Sequence, residues 1–520
     1  MSLIKLSDFL IDFLSKLNIK HVFVIQGGAV AHLIDSIEKN SSMEYITCQH
    51  EQACAMAADA YSRIGNTIGV AMATSGPGAT NLITGIASAY YDSIPVVYIT
   101  GNVASFRRSD GMGIRQYGFQ ETNIIDIVQS ITKYCVAIKN PNDIKYELEK
   151  AFFEAKNGRK GPVLIDIPDD FQREYIDINN LKSFLKNDES QCTDNDFDEE
   201  FIYKLIKNSK RPVLIYGSGV LSSNSIALAK AITKKLNIPT LFSWPLKGMF
   251  DYDYDLNFGS FGTNSLRSGN FIIQNSDLII SIGHRLDTHS TGSLNDFARE
   301  AKIIVVDIDD NELKKFEKLG RKFDRTICMD SEVFLQKLNN IEYKFRHQEW
   351  IVYCQEIKRK YYKDNFEETD KVSPGLFFEK LSTVCSSDTI FIGDTGANLV
   401  YLFNGIKEKS GQTFISAFNN TPMGYALPAS IGVSLSSDRR VICCCGDGGM
   451  QMNVQELATI RHYNLPITII VFNNIGHGMI KQTQDDWFDS VYSASSNKKG
   501  IPSLNFSHIA NAYEIESIRI

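Results

Sequence analysis

The 520-residue sequence has no basic excess: 54 Lys and Arg stand against 61 Asp and Glu, a net charge of -7. That balance leaves no broad cationic face for nucleic acid. No apolar run is longer than a strand, so no membrane span is expected. The ten cysteines include no C-x-x-C pair, and Cys443, Cys444 and Cys445 sit together in an apolar stretch, which argues against a disulfide scaffold or a zinc site. No two histidines are adjacent anywhere in the chain. The opening segment reads as a helix rather than as a secretion signal. The opening MSLIKLSDFLIDFLSKL places apolar residues at helical spacing with Asp8, Asp12 and Lys16 between them, the pattern of an amphipathic helix, and the expected location is cytoplasmic.

What the sequence has is 43% apolar residues in a chain too long for one core, which fits about two to four domains. Short runs rich in β-branched residues recur between helical stretches at 21–25, 67–74, 95–100, 162–167, 212–217, 277–283, 302–308, 389–394, 441–447 and 467–474. Such runs suit parallel strands buried on both faces with helical crossovers, so the fold class is α/β with parallel sheets flanked by helices. Polar stretches near 185–200 and 342–374 divide the chain into expected domains at 1–182, 196–340 and 370–520. Ligands of such sheets bind at the carboxyl ends of strands. There lie Gly27-Gly28, the segment from Ser75 to Asn81, Gly217-Ser218-Gly219, Asp394-Thr395-Gly396 and Gly446-Asp447-Gly448-Gly449.

The last of these carries the sharpest chemistry. Glycines admit close backbone approach, and N–H groups opening a helix favour a phosphate. The following stretch MQMNVQELATIRHYN has apolar residues at helical spacing, and the strand after it ends at Asn473-Asn474. One strand–helix–strand unit, 27 residues from Asp447 to Asn474, therefore returns an amide oxygen beside a carboxylate. Two hard oxygen donors together with diphosphate oxygens suit Mg2+.

G-D-G followed about two dozen residues later by N-N resembles the motif of thiamine-diphosphate-dependent enzymes, and GDGGMQMNVQELATIRHYNLPITIIVFNN resembles the acetolactate synthase large-subunit branch. The resemblance implies three domains: a pyrimidine-binding domain, a Rossmann-like central domain, and a diphosphate- and metal-binding domain. It implies that Asp447 and Asn474 bind the metal through side chains and Gly476 through its carbonyl. Gly448, Gly449, Gly396, Ala397 and Asn398 would lie along the thiamine diphosphate, and Met423 would bend it. Glu51 matches the family's proton-relay glutamate, which hydrogen-bonds the aminopyrimidine ring; on spacing alone it reads as a first-turn acid complementing a helix dipole. Gly28, beside Gln26 and Gly27, matches the loop near the reacting carbon. Phe119 would wall the pocket and Gln120 would meet substrate or cofactor, while His50 reads as structural.

For FAD the resemblance is divided. Arg159, Gly217, Gly219, Arg285 and Asp307 match flavin-side positions, whereas Thr288 and His289 replace residues usual in the synthases. The implied reaction is decarboxylation of a 2-oxo acid, pyruvate by the family pattern, with transfer of the two-carbon unit to an acceptor carbonyl. Missing His-His pairs argue against simple aldehyde release. Asp169, Thr288 and Thr483 depart from the synthases around the substrate channel, which implies a different acceptor, in the manner of relatives that act on keto-sugar nucleotides. The family's sites form across subunits, so a homodimer or homotetramer is expected. The alternatives are a catalytically silent assembly partner and a flavin-linked pyruvate oxidase. Relatives usually continue with another helix and strand beyond FSHIANAYEIESIRI, so the expectation is either a clipped C-terminal domain or a sequence that is a fragment.

Overall fold

The computed structural model describes residues 3–65, 67–186, 197–342, 347–362 and 371–520. Much of both polar stretches expected to separate domains lies outside these residues.

The amphipathic opening segment is a helix, Leu6–Lys16, with Leu6, Leu10, Ile11 and Leu14 buried. It follows β1 (Leu3–Lys5) and precedes β2 (His21–Val24), β3 (Glu44–Thr47), β4 (Gly69–Ala73), β5 (Val96–Asn102), β6 (Tyr134–Ala137), β7 (Val163–Pro168) and β8 (Tyr175–Asp177). Strands β2 to β7 form one six-stranded sheet in the order β3-β2-β4-β5-β7-β6, parallel at every pairing. β1 and β8 form a separate antiparallel pair.

The next strands are β9 (Pro212–Tyr216), β10 (Thr240–Phe242), β11 (Leu278–Ile282), β12 (Lys302–Asp307) and β13 (Arg325–Cys328). They make a second parallel sheet, β10-β9-β11-β12-β13. Its continuous apolar runs feed two cores at once. Leu214, Tyr216, Ile280 and Val306 enter one cluster, while Val213, Ile215, Ile279 and Val305 enter the other. This is what alternation does in a strand covered on both faces. The third sheet joins β14 (Thr389–Gly393), β15 (Thr413–Ile415), β16 (Arg440–Gly446) and β17 (Ile467–Phe472) in the order β15-β14-β16-β17.

All ten strand runs read from the sequence are strands. Part of the second polar stretch is not a linker, because Gln348–Tyr362 is a helix. Trp350 and Cys354 on it enter the second of those clusters, and Trp350 Nε1 donates to Pro212 O at 3.0 Å. Eight cysteines are free thiols, and Cys328 is disulfide-bonded.

The chain forms two compact units, one of residues 1–188, 392–397 and 415–520, the other of residues 189–391 and 398–414. The first is organised around the helix Glu51–Ile64, whose sequence EQACAMAADAYSRI is rich in small residues. Small side chains let its backbone approach neighbours closely: a methyl group on Gly432 would lie 2.0 Å from Ala57 O, and one on Gly69 2.0 Å from Ala58 O. Gly432 belongs to a second small-residue helix, Ala426–Ser436.

A buried charge cluster joins these helices. Arg63 donates to Asp59 Oδ2 at 2.8 Å and to Asp92 Oδ2 at 2.7 Å. Tyr425 OH donates to Asp59 as well. Asp92 accepts the backbone N–H groups of Phe418 at 2.9 Å and Asn419 at 3.0 Å. Replacing Arg63 with Leu leaves two buried carboxylates without their guanidinium. Unfolding free energy is expected to fall by about 3–5 kcal/mol in urea denaturation; a loss below about 1 kcal/mol, the range of exposed pairs, would show that the cluster does not depend on Arg63.

Candidate active site

The expected site residues of the first unit fall into two groups at the carboxyl ends of two sheets. In the first group, Glu51 is the opening residue of its helix, directly after β3. It is half-buried, and its Oε2 accepts Asn81 Nδ2–H at 2.9 Å. His50 caps the helix, Nδ1 accepting Gln52 N–H at 3.1 Å. Thr74, after β4, accepts Ala29 N–H at 3.2 Å and so fixes the turn that follows Gly28. Gly28 itself is exposed, and a methyl group on it would meet nothing within 4 Å.

Gln120 and Phe119 reach the same edge on a loop organised by Glu121. The Glu121 carboxylate accepts Ser109 N–H at 2.6 Å, Tyr117 N–H at 2.9 Å and Gly118 N–H at 3.2 Å. Gln120 takes a left-handed φ of 62° and packs on Gly76, where a methyl group would lie 3.1 Å from Gln120 Cβ. Phe119, expected to wall a pocket, is 86% exposed.

The second group forms around Asp447. β16 and β17 are parallel with Gly446 opposite Phe472, which brings the segment after β17 beside the segment after β16. Asp447 Oδ2 accepts Gly476 N–H at 2.9 Å, and Asp447 is buried at 7% exposure. Asn474 is exposed, and its Nδ2 lies 2.9 Å from where a methyl group on Gly478 would stand. The helix expected after the glycines is two helices. The first, Asp447–Met452, begins at Asp447 itself. The second is Glu456–His462. Asn453 breaks them, because its side chain donates to Gly424 O at 2.7 Å.

Met423 and Gly448 meet here. A methyl group on Gly448 would lie 2.9 Å from Met423 Cε and 3.1 Å from His477 Nε2. Gly396 has φ 104°, and Ala397 opens the helix Ala397–Gly405, in which Asn398 is buried. Asp394 is fully buried and accepts Gly424 N–H and Ala426 N–H, each at 3.0 Å. Burial pushes its carboxyl up to about 6, against the pull of those backbone donors. His477 and Glu456 are not marked by the sequence, and Asp394 is marked only as part of the Asp394-Thr395-Gly396 turn after a strand. Local spacing gives none of them a role, since each acts on residues far away in the chain.

Glu456 ties the second group to the first. Its carboxylate accepts Gln49 N–H at 2.9 Å and Thr459 Oγ1–H at 2.8 Å, and so holds the turn that leads into Glu51. Among the described residues no three of His, Cys, Asp or Glu gather as a metal cage. Asp447, Asn474 and the Gly476 carbonyl are a donor set that suits Mg2+ when a ligand supplies further oxygens.

The flavin-side residues are divided between the units, with Arg159 in the first, where it donates to Ser93 Oγ at 2.9 Å. Gly217, Gly219, Arg285 and Asp307 stand at the carboxyl ends of the neighbouring strands β9, β11 and β12. The glycine turn there is filled by the protein. A methyl group on Gly217 would lie 2.1 Å from Gly283 O, and Gly219 N–H already donates to Gly283 O at 2.9 Å. The turn thus packs directly on the Gly283 backbone. Thr288 and His289 are exposed, and His289 Nε2 lies 2.9 Å from Asn264 Nδ2.

Three family models match: the thiamine pyrophosphate enzyme N-terminal TPP-binding domain at residues 4–128, the central domain at 200–338 and the C-terminal TPP-binding domain at 394–520. The chain is 34% identical to an acetolactate synthase large subunit of Cyanidium caldarium, covering 100% of this chain and 89% of that one. It is 31% identical to one of Buchnera aphidicola over 100% and 90%. It is 33% identical to one of Corynebacterium glutamicum over 92% and 76%.

Burial pushes the Glu456 carboxyl up from 4.5 to about 7, with Thr459 and the Gln49 and His50 backbone opposing. A raised folded-state pKa contributes stability that is complete below about 4.5 and is lost as pH rises through about 7. Replacing Glu456 with Gln removes that loss. In thermal melts the variant should gain on the parent as pH rises from about 5 to 8, by roughly 1–3 kcal/mol; a difference that does not change with pH overturns the assignment.

Proposed function

The chain belongs to the thiamine pyrophosphate enzyme family, in the branch of the acetolactate synthase large subunits, and on that premise we propose that it decarboxylates a 2-oxo acid, pyruvate first, and joins the two-carbon unit to an acceptor carbonyl. It is a thiamine-diphosphate-dependent, acetolactate synthase-like enzyme. The observation that carries the reading is the hydrogen bond from Gly476 N–H to Asp447, which holds the segment after β17 against the carboxylate that follows β16.

In this reading Asp447, Asn474 and the Gly476 carbonyl hold Mg2+. Gly448, Gly449, Gly396, Ala397 and Asn398 lie along the diphosphate, and Met423 supports the ring system. The bound cofactor supplies an electron sink for the carbon from which carbon dioxide leaves. Glu51 exchanges a proton with the aminopyrimidine through its carboxyl, and Asn81 holds that carboxyl in place. Gly28 leaves its turn open to substrate, and Gln120 donates to a substrate carboxylate or to the cofactor.

The reading includes three domains, at 1–182, 196–340 and 370–520, a homodimer as the smallest active form, and a cytoplasmic location. Phe119 at 86%, Tyr117 at 62% and Trp487 at 79% exposure supply apolar surface suited to a second subunit that completes the site. No helix among the described residues is long and apolar enough to cross a membrane. Asp169, Thr288 and Thr483 set the acceptor, which differs from that of the synthases.

Purified protein given thiamine diphosphate, Mg2+ and pyruvate should evolve carbon dioxide, faster once a suitable acceptor carbonyl is added. Glu51→Gln should cut that rate by about 10²–10⁴-fold with cofactor affinity little changed. A protein that binds the cofactor and releases no carbon dioxide, with or without acceptors, is a silent family member instead.

A further inference from the structure

Asp394 is fully buried at the exit of β14. Its carboxylate accepts backbone N–H groups at both oxygens, with Thr395 donating beside the two more distant amides. Oδ1 takes Gly424 N–H at 3.0 Å and Oδ2 takes Ala426 N–H at 3.0 Å, the amides one and three residues beyond Met423. The same carboxylate rests on Gly449, where a methyl group would lie 2.6 Å from Oδ1. Gly424 has φ 86°, a left-handed conformation that places Met423 at a sharp turn. The turn is held from its other side by Asn453, which donates to Gly424 O. Both polar groups of the Gly424 backbone are therefore fixed by side chains, one from each flank, and the Met423 side chain is left projecting onto Gly448.

We propose that Asp394 is a positioning residue that sets Met423 against the cofactor rings by clamping the turn after it to the glycines after β16. The inference rests on the reading of Met423 as the support under thiamine. A carboxylate is suited to the task because only an acceptor with two equivalent oxygens meets two parallel N–H groups; an amide at this place presents a donor to one of them and leaves it unpaired in a buried setting. Asp394 touches no reacting atom. Its effect should reach the organic part of the cofactor and spare the metal, which in the proposed reading Asp447, Asn474 and the Gly476 carbonyl would hold, and the diphosphate, which would lie along glycine backbone.

The test compares two probes by calorimetry at pH 7.5, thiamine diphosphate with Mg2+ and inorganic pyrophosphate with Mg2+. Asp394→Asn should weaken thiamine diphosphate by about tenfold and leave pyrophosphate within about twofold. In a Met423→Ala background, the added Asp394→Asn change should have no further effect on thiamine diphosphate. Equal loss of both probes, no loss of either, or a full tenfold effect persisting without Met423 would overturn the proposal. If Met423→Ala alone leaves thiamine diphosphate affinity unchanged, the reading of Met423 fails instead, and the proposal falls with it. Should Asp394→Asn not fold, amide exchange in the parent protein decides: Gly424 and Ala426 N–H should exchange slowly, and fast exchange at either removes the clamp.

Discussion

Close backbone approach along the helix Glu51–Ile64 is the constraint on which the first unit depends. Ala57 and Ala58 carbonyls face Gly432 and Gly69 with no room for a side chain, and Ala53, Ala55 and Ala60 are fully buried. A helix that neighbours press on so closely can carry only small residues there. Its start is then fixed in space, and Glu51 is that start. The polar residues on the helix follow from the same crowding. Asp59 and Arg63, one turn apart, point where Asp92 and Tyr425 can satisfy them.

A buried cluster of this kind adds little net stability, because desolvating its charges offsets most of their attraction. Its consequence is geometric. Asp92 fixes the backbone at Phe418 and Asn419, and Asp59 fixes Tyr425. The segment between these points contains Met423. Asp394 and Asn453 then hold Gly424. Fixing a short segment at both ends and in the middle is how a flexible methionine comes to occupy one position.

The strands were legible because a strand buried on both faces must be apolar throughout, and ten such runs are plain in the sequence. Those missed, such as β6, β10, β13 and β15, have three or four residues each, too few to rise above the background of an apolar chain. The break at Asn453 was hidden for another reason: MQMNVQELATIRHYN has good helical spacing, and only the distant Gly424 carbonyl makes the interruption worthwhile. The nearness of the segments after β16 and β17 was legible because adjacent parallel strands return the chain by a fixed length, and the hydrogen bond from Gly476 N–H to Asp447 is the outcome. Phe119 was placed in a pocket wall by resemblance, yet its exposure in a single chain depends on what covers it. The Gly217–Gly219 turn shows the opposite case, since glycines there serve the contact with Gly283.

The difference between cofactor and substrate residues has the same physical origin. Residues read as cofactor contacts are mostly backbone positions or buried side chains, set by strand register and close approach. A change at Gly448 or Gly432 disturbs packing that many atoms share. Thr483 is exposed, and its hydroxyl bonds back to Met479 O at 3.1 Å. Thr288 is exposed on a four-residue helix. Such side chains can change with little cost to the fold, which makes them free to change with the acceptor. Asp169 lies between these extremes: its Oδ1 is screened from solvent with no hydrogen-bond partner.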